Sequence, residues 1–346
     1  MPRIWHHSSL SSKGIASAIP HFSGHAMNKP THFPTISRRE AIRLGICSSA
    51  GALLTPLINP VFADAATTNL ITKTIPSTGQ KLTCVGIGTN SFTIADVPNL
   101  QAVLKRMNEL GGNFIDTASA YRESEAAIGT ALNNLNMRNN FFVSTKISGG
   151  EKNEKKMGDL GGVKSFARSL DRLKTDKVDL LMVHNMLNAD GLMPQLLEWK
   201  KAGKVRYIGM TTAENDDHAQ LVAYMKKYPL DFVEVNYSIA NREAEETVLP
   251  TALDKGVAVV INLPFGGKHE ENLFLNNTRI LPEWAADIGC SSWSEFLLKF
   301  VISHPAVTVA IPGTTKMAHM ESNIRAAHGE LPDAVMRKRM VEAWNS

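Results

Sequence analysis

The feature of this chain that most restricts its fold is a series of eight short β-rich segments separated by longer amphipathic ones. The segments are LTCVGIG (82–88), NFID (113–116), FFVSTK (141–146), DLLMVH (179–184), VRYIGM (205–210), FVEVN (232–236), VAVVIN (257–262) and VTVAI (307–311). Most are nearly continuous apolar runs, as expected when helices cover one face of a parallel sheet and a packed interior covers the other. Between them the spacing predicts helices over 98–110, 123–135, 163–173, 192–202, 216–227, 244–255 and 292–303. Gly111, Gly203 and Gly256 each stand one residue past such a stretch, where a left-handed backbone ends a helix at little cost to glycine. This alternation predicts a (β/α)8 TIM barrel. A doubly wound sheet stays open, because periodicity does not report closure.

The first 65 residues read differently. Residues 35–66, TISRREAIRLGICSSAGALLTPLINPVFADAA, hold paired arginines, a stretch without Asp, Glu, Lys or Arg from 44 to 63, and then Ala63-Asp64-Ala65. A membrane helix needs roughly 20 solidly apolar residues, whereas this stretch is interrupted by Gly45, Gly51, Pro56, Asn59 and Pro60. The order of basic segment, modest apolar stretch and small-residue site is that of a secretory leader. Ser37-Arg38-Arg39-Glu40-Ala41-Ile42-Arg43 resembles the twin-arginine signal of bacteria, which directs folded proteins out of the cytoplasm. Its departure is Ala41, where a bulkier residue is usual. A retained amphipathic or anchoring helix and an ordinary core helix are the competing readings. A lipid anchor on Cys47 is disfavoured by the size of Ile46. The predicted organisation is a leader over 1–65, with translation starting at Met1 or Met27, and one barrel domain over 66–346. The expected location is periplasmic, or otherwise outside the cytoplasm.

Removing the leader changes the charge balance. Of the 37 basic and 33 acidic residues in the chain, six and two fall within the first 65, leaving 31 of each. A formally neutral domain without a long basic run lacks the electrostatic footprint of a nucleic-acid binder, and no later stretch is long and apolar enough for a stable transmembrane anchor. Cys84 and Cys290 are too few for a disulfide-dense scaffold and read as two separate buried thiols. The later histidines (His184, His218, His269, His304, His319, His328) are too scattered for a zinc cluster, so no metal site is expected.

Two glycine-rich stretches imitate phosphate-binding motifs. Gly158-Asp-Leu-Gly-Gly-Val-Lys-Ser has Val163 where a P-loop needs glycine, and VGIG (85–88) lacks the third glycine of a dinucleotide fingerprint. Both read as ordinary turns.

A barrel builds its site at the C-terminal ends of its strands, and there the sequence turns polar. NFID ends at Asp116, with Tyr121 five residues on; FFVSTK ends at Lys146; DLLMVH ends at His184. Taken singly, these residues suit a helix cap, a packing tyrosine, a solvated lysine and a core histidine. Together, on three consecutive β-α units, they suit carbonyl reduction. A Lys ammonium paired with Asp is expected to lower the pKa of a neighbouring Tyr, which can then protonate a developing alkoxide while His orients the carbonyl oxygen.

The segment GGNFIDTASAYRESEAAIGTAL closely resembles the aldo/keto reductase signature. FFVSTK, VDLLMVHN, GKVRYIGMT, VNY, NLPFGG and IPGTTKMAHMESN resemble later motifs of that family in the same order, over about residues 72–328. The resemblance implies a catalytic tetrad of Asp116, Tyr121, Lys146 and His184, with Tyr121 the general acid. It implies NADP(H), in preference to NAD(H), lying across the C-terminal face of the barrel. The cofactor residues it implies are Thr211 and Thr212 after the fifth strand, Glu234 on the sixth, Tyr237 as the ring that stacks on the nicotinamide, Pro264, Phe265 and Gly266, and the phosphate segment Gly313, Thr314, Thr315, Lys316, His319 and Asn323. Several positions depart from the family pattern. Thr211-Thr212 stands for Ser-Asn and Glu234 for Gln; an ionised Glu234 can only accept, and is expected to take the carboxamide N–H. Gly313 and His319 replace basic residues. The chain ends 18 residues after His328, so a shallow or open substrate pocket is expected, with Phe92, Phe265, Trp284 and Trp293 as candidates to line it.

The expected activity is reduction of a small aldehyde or ketone to an alcohol by direct hydride transfer. Outside the cytoplasm a cofactor loaded before export would need a redox partner to reset it, or a dismutation of carbonyl and alcohol without cofactor release. The alternative is a cofactor-binding regulatory or partner-binding subunit with little turnover.

Overall fold

The computed structural model describes residues 70–148, 162–267, 272–274 and 277–346. The leader over 1–65 and the glycines of the P-loop-like stretch before Gly162 lie outside the described residues.

Among the described residues ten strands follow in chain order. They are β1 (Thr72–Thr74), β2 (Lys81–Thr83), β3 (Ile87–Gly88), β4 (Phe114–Asp116), β5 (Phe142–Ile147), β6 (Val178–Val183), β7 (Val205–Thr211), β8 (Phe232–Val235), β9 (Ala258–Ile261) and β10 (Val307–Ala310). The α-helices are α1 (Val97–Glu109), α2 (Ser124–Leu135), α3 (Gly162–Arg172), α4 (Ala189–Lys201), α5 (His218–Lys227), α6 (Val248–Lys255), α7 (Trp293–Ile302), α8 (Met317–Arg325) and α9 (Ala334–Asn345). Strands β3 to β10 form one parallel sheet in sequential order. Its two edges meet through the bridges Val85–Ala310 and Gly88–Gly313, supported by Gly86 N–H donating to the Ala310 carbonyl at 2.8 Å. The sheet is therefore the expected (β/α)8 barrel.

The alternation of side chains along each strand creates the layers. Ile115, Val143, Leu181, Val183, Val233 and Val235 point outward into the apolar layer beneath the helices. Phe114, Phe142, Leu180, Met182, Tyr207, Phe232 and Val260 point inward and form a second cluster. The inward aromatics meet one another, with ring centroids 5.1 Å apart for Phe114–Phe142, 5.7 Å for Phe142–Tyr207 and 5.5 Å for Tyr207–Phe232. Each fully buried ring of this kind contributes roughly 1.5–3 kcal/mol relative to exposure. With the interior filled at that level, the inward positions at the strands' C-terminal ends are released for polar residues.

The 82–88 run divides between two structures. Its start pairs antiparallel with β1, Thr72 opposite Thr83, and its end enters the barrel as β3. The glycines of VGIG thus belong to a barrel strand and its approach, which corrects the reading of that stretch as a turn. A Cβ on Gly86 would stand 2.7 Å from the Phe114 carbonyl oxygen, so the sequence needs glycine there for close strand contact. Gly111, Gly203 and Gly256 have φ of 84°, 73° and 64°, the left-handed helix ends that their positions predict. Cys84 and Cys290 are separate buried thiols. Among the described residues no helix is long and apolar enough to cross a membrane, and no cluster could hold a metal ion.

Candidate active site

The inward positions at the strand ends are Asp116 on β4, Lys146 on β5, His184 just past β6 and Glu234 on β8, continuing the two-residue alternation from the buried Phe114, Ser144, Met182 and Phe232 below them. Lys146 is the centre of the group. Its side chain has no exposed surface, and its ammonium donates to Asp116 Oδ2 and, at 3.1 Å, to the Thr117 carbonyl. On its other side Glu234 Oε2 forms an ion pair with it at 3.2 Å. The Tyr121 ring centroid lies 5.3 Å from the same nitrogen, and the His184 ring meets Tyr121 edge-on at 5.8 Å and 82°. The four residues expected to carry the chemistry are brought together, and Glu234 joins them.

Local backbone structure explains how Tyr121 and His184 are aimed. Tyr121 sits in a tight turn in which its N–H donates to the Ala118 carbonyl at 3.0 Å and its carbonyl accepts from Ser124 N–H at 2.9 Å, just before α2 begins. Thr89 Oγ1 secures the base of that turn by donating to the Asp116 carbonyl at 2.7 Å and meeting Ser124 Oγ at 2.8 Å. After His184 come three left-handed residues, Asn185, Met186 and Asn188, with φ of 49°, 53° and 55°. Asparagine tolerates this region, whereas for methionine it costs about 1–2 kcal/mol. Burial of the Met186 side chain and the bond from Asn185 N–H to Thr211 Oγ1 at 2.9 Å hold the loop in place.

The electrostatics follow from burying two carboxylates around one ammonium. Lys146 loses solvation, which alone would lower its pKa, but Asp116, Glu234 and Tyr121 more than reverse this and hold it above the ordinary lysine value. Desolvation raises the pKa of Asp116, against the pull of Lys146. Desolvation also raises that of Glu234 to about 7, assisted by repulsion from Asp116 and opposed by Lys146. The Tyr121 phenol is pushed up to about 12, by burial first, with Lys146 opposing and the two carboxylates adding to the rise. This reverses the expectation of an acidified tyrosine: the favourable lysine is outweighed by desolvation and the surrounding negative charge. Tyr121 remains protonated at neutral pH, the form a general acid requires.

Above the cluster opens a cleft of about 230 Å³. Asp116, Tyr121 and Glu234 form part of its wall, with Pro264, Phe265 and Gly266 after β9 and Gly313 after β10. Asn262 and Asn90, which the motif comparison did not single out, line it as well. Asn262 was within reach of the alternation rule, because it continues the inward series Ala258, Val260 by two residues. Its Nδ2 donates to the Thr212 carbonyl at 2.9 Å and to Glu234 Oε1 at 3.2 Å, while its Oδ1 is buried without a hydrogen-bond partner.

Other sequence-identified residues stand elsewhere. The Tyr237 ring is completely buried, 5.9 Å from Phe300 of α7, and its hydroxyl meets Glu245 and, at 2.6 Å, Arg337 Nη2. It packs the helix layer and does not line the cleft as a stacking ring. Thr211 Oγ1 is taken by Asn185, and Thr212 Oγ1 donates to Asp217 Oδ2 at 2.8 Å; neither threonine lines the cleft. Glu234 turns its two oxygens to Lys146 and Asn262, in contrast to the expected acceptor waiting for a carboxamide. Among the aromatic candidates only Phe265 reaches the cleft. Phe92 is core, and Trp284 and Trp293 pack on Phe296 at 5.7 and 5.1 Å.

Beyond Gly313, Thr314 Oγ1 accepts from Lys316 N–H at 3.1 Å and the Thr315 carbonyl accepts from Asn99 Nδ2 at 2.8 Å. Lys316 is the N-cap of α8, His319 is exposed on its first turns and Asn323 is buried farther along it. These residues fit the phosphate end of a dinucleotide: a helix N-terminus favours an anion, and the exposed Lys316 adds charge. The reacting end fits as well. The partnerless Asn262 Oδ1 can accept an amide N–H, and a Cβ on Gly313 would have no neighbour nearer than 3.8 Å, so its absence leaves the groove clear.

The aldo/keto reductase family model matches residues 84–343. The probable aldo-keto reductase 1 of Glycine max is 28% identical over 298 residues, covering 75% of this chain and 85% of its own. Aldo-keto reductase str7 of Strobilurus tenacellus is 27% identical over 276 residues, covering 70% and 81%. Among solved structures, the holo form of an aldo-keto reductase from Bacillus halodurans is similar in fold, with a TM-score of 0.63 at 22% identity over 80% of this chain and 96% of that one. An aldo/keto reductase from Klebsiella pneumoniae, in complex with NADP and acetate, gives 0.63 at 21% identity over 77% and 93%. With a match running from the first barrel strand to the last helix, this chain belongs to the aldo/keto reductase family.

Proposed function

We propose that this protein is an NADP(H)-dependent oxidoreductase that reduces a small aldehyde or ketone to an alcohol, with Tyr121 as general acid. The observation that carries the reading is the convergence of Asp116, Tyr121, Lys146 and His184 in one cluster, of which Asp116 and Tyr121 line the cleft above it. NADP(H), when bound, supplies the hydride. The chain's own residues manage the proton and the orientation. Tyr121, protonated at neutral pH, gives its hydroxyl proton to the carbonyl oxygen as negative charge develops there. Lys146 stabilises the tyrosinate left behind and is itself held charged by its buried carboxylates. His184, edge-on to Tyr121, orients the same oxygen through a ring N–H. General acid help of this kind contributes about 10²- to 10⁴-fold.

The choice of NADP(H) over NAD(H) is supported by the Klebsiella relative's complex with NADP and by Lys316, Thr314 and Thr315 at the start of α8. A cleft of about 230 Å³ is below the usual 300–1,000 Å³ of ligand pockets, which fits a nicotinamide end with a small carbonyl beside it. The reading includes export by the twin-arginine route, supported by Arg38-Arg39, the uncharged stretch 44–63 and Ala63-Asp64-Ala65. Recycling then falls to a redox partner or to dismutation of carbonyl and alcohol.

The test is to purify the protein, identify any bound nucleotide by mass spectrometry, and follow cofactor absorbance against a panel of small aldehydes and ketones. Bound NADP(H) with turnover is the expected result. A held nucleotide with no turnover across the panel favours the regulatory-subunit alternative, and failure to bind either nucleotide sinks the proposal.

A further inference from the structure

The Lys146 ammonium is shared. Asp116 Oδ2 takes it from one side and Glu234 Oε2 from the other at 3.2 Å, and both carboxylates also form the cleft wall. When both are ionised and Tyr121 is neutral, two negative charges face one positive charge, so the floor of the cleft carries a net negative charge. If Asp116 alone paired with Lys146, that floor would be neutral. Glu234 is also held against rotating away, since Oε1 accepts from Asn262 Nδ2, which is itself fixed on the Thr212 carbonyl.

We infer that Glu234 is a positioning residue of this site: by sharing Lys146 with Asp116 it sets the charge of the cleft floor, favours the cationic oxidised nicotinamide over the neutral reduced one, and holds Tyr121 in its acid form. The inference rests on the proposed function and deepens it. Both consequences have one cause, because a negative potential in a poorly solvated site favours whichever partner carries more positive charge. Its strength depends on pH. Burial places the Glu234 carboxyl at about 7, so the extra charge appears as pH rises through neutrality.

The groups facing Glu234 are Asp116 from β4, Lys146 from β5, Tyr121 from the turn after β4 and, beyond Tyr121, His184 from the end of β6. The neighbours contributed by β7 and β9, Thr211, Thr212 and Asn262, are uncharged. Lys146 and Tyr121 keep their protons at neutral pH, since both are raised. Asp116 shares the ammonium with Glu234, and His184, edge-on to Tyr121, is the other titratable side chain beside the cluster.

The experiment measures equilibrium dissociation constants of NADP+ and NADPH by protein fluorescence, without carbonyl substrate, from pH 5.5 to 8.5. It uses wild type, Glu234→Gln and, to separate the histidine, His184→Gln. In wild type the ratio Kd(NADP+)/Kd(NADPH) should fall as pH rises through about 7, and it should do so in His184→Gln as well. In Glu234→Gln the ratio at pH 8 should be higher than wild type, on the order of tenfold, with its dependence on pH flattened. The pH profile of single-turnover hydride transfer should show the Tyr121 ionisation moved to lower pH in that variant, which loss of mere packing would not produce. An unchanged ratio in Glu234→Gln overturns the inference while leaving the proposed function intact. Should that variant not fold, Glu234→Met, which keeps the bulk and removes the charge, takes its place, and an unchanged ratio at pH 8 overturns the inference equally. Wild type that binds neither nucleotide overturns both.

Discussion

Arg337 Nη2 lies 2.6 Å from the Tyr237 hydroxyl, tying the C-terminal helix α9 to the segment that follows β8. The same guanidinium bonds Glu245 at 2.9 Å, donates to the Phe300 carbonyl, and lies 4.3 Å from the centroid of the Phe300 ring. Tyr237 thereby serves the packing of the helix layer, at a position where the family resemblance implied a cofactor platform.

This assignment separates stability from binding. Tyr237→Phe keeps the ring and removes the hydroxyl; it should lower unfolding free energy by about 1 kcal/mol, the net worth of a typical hydrogen bond, with nucleotide affinity unchanged. Arg337→Met removes the ion pair to Glu245 and the donor to the Phe300 carbonyl and should cost about 2–4 kcal/mol. Urea denaturation beside a nucleotide titration checks both. A loss of affinity in Tyr237→Phe with no loss of stability would return the residue to the cofactor site.

The raised carboxyl of Glu234 has a consequence for stability. Its pKa rises from an unfolded value of 4.5 to about 7 in the fold, so between those values the folded protein holds a proton that the unfolded chain has released. The contribution is fully present below about 4.5 and is lost as pH climbs through about 7. His304 works in the opposite sense, since burial, assisted by Arg337, lowers its pKa from 6.5 to about 4, and its contribution is lost as pH falls through that range. The clean observable is therefore a difference. The unfolding free energy of wild type minus that of Glu234→Gln should decline as pH rises from 4.5 to 7, and a flat difference would show that Glu234 is not held protonated.

Export predicts a specific N-terminus. Native material from a host with a working twin-arginine route should begin at Ala66, and replacing Arg38 and Arg39 with lysines should retain the protein in the cytoplasm. Edman sequencing and fractionation decide it. A stable cytoplasmic product beginning at Met1 or Met27 would contradict the reading.

The barrel was legible because its strands are short, apolar and regularly spaced, and the clustering of Asp116, Lys146 and His184 because they stand at the ends of consecutive strands, with Tyr121 in the turn after the first. Less legible was whatever depends on where a side chain turns once tertiary partners compete for it. Tyr237 follows an inviting VNY motif, yet Phe300, Glu245 and Arg337 draw its ring inward, and two of those partners lie more than 60 residues away in sequence. Thr211 and Thr212 offer hydroxyls that local loop bonds consume. The direction of the Tyr121 shift was not legible, since pairing with Lys146 is visible in a motif and desolvation is not. Asn262 could have been found by extending the two-residue alternation past Val260. Strand β1 and helix α9 lay outside the strand-and-helix repeat: a three-residue hairpin arm gives little periodic signal, and a terminal helix follows no strand that would announce it.

The central claim is that Tyr121 delivers the proton in carbonyl reduction, and single-turnover stopped-flow kinetics of Tyr121→Phe test it most directly. The variant keeps the ring that meets His184 edge-on and lies over Lys146 and removes only the hydroxyl. With enzyme saturated by NADPH and mixed with an aldehyde that the wild type reduces, the rate of absorbance loss should fall by about 10²- to 10⁴-fold at unchanged nucleotide affinity. Equal rates for variant and wild type at matched cofactor occupancy would contradict the account.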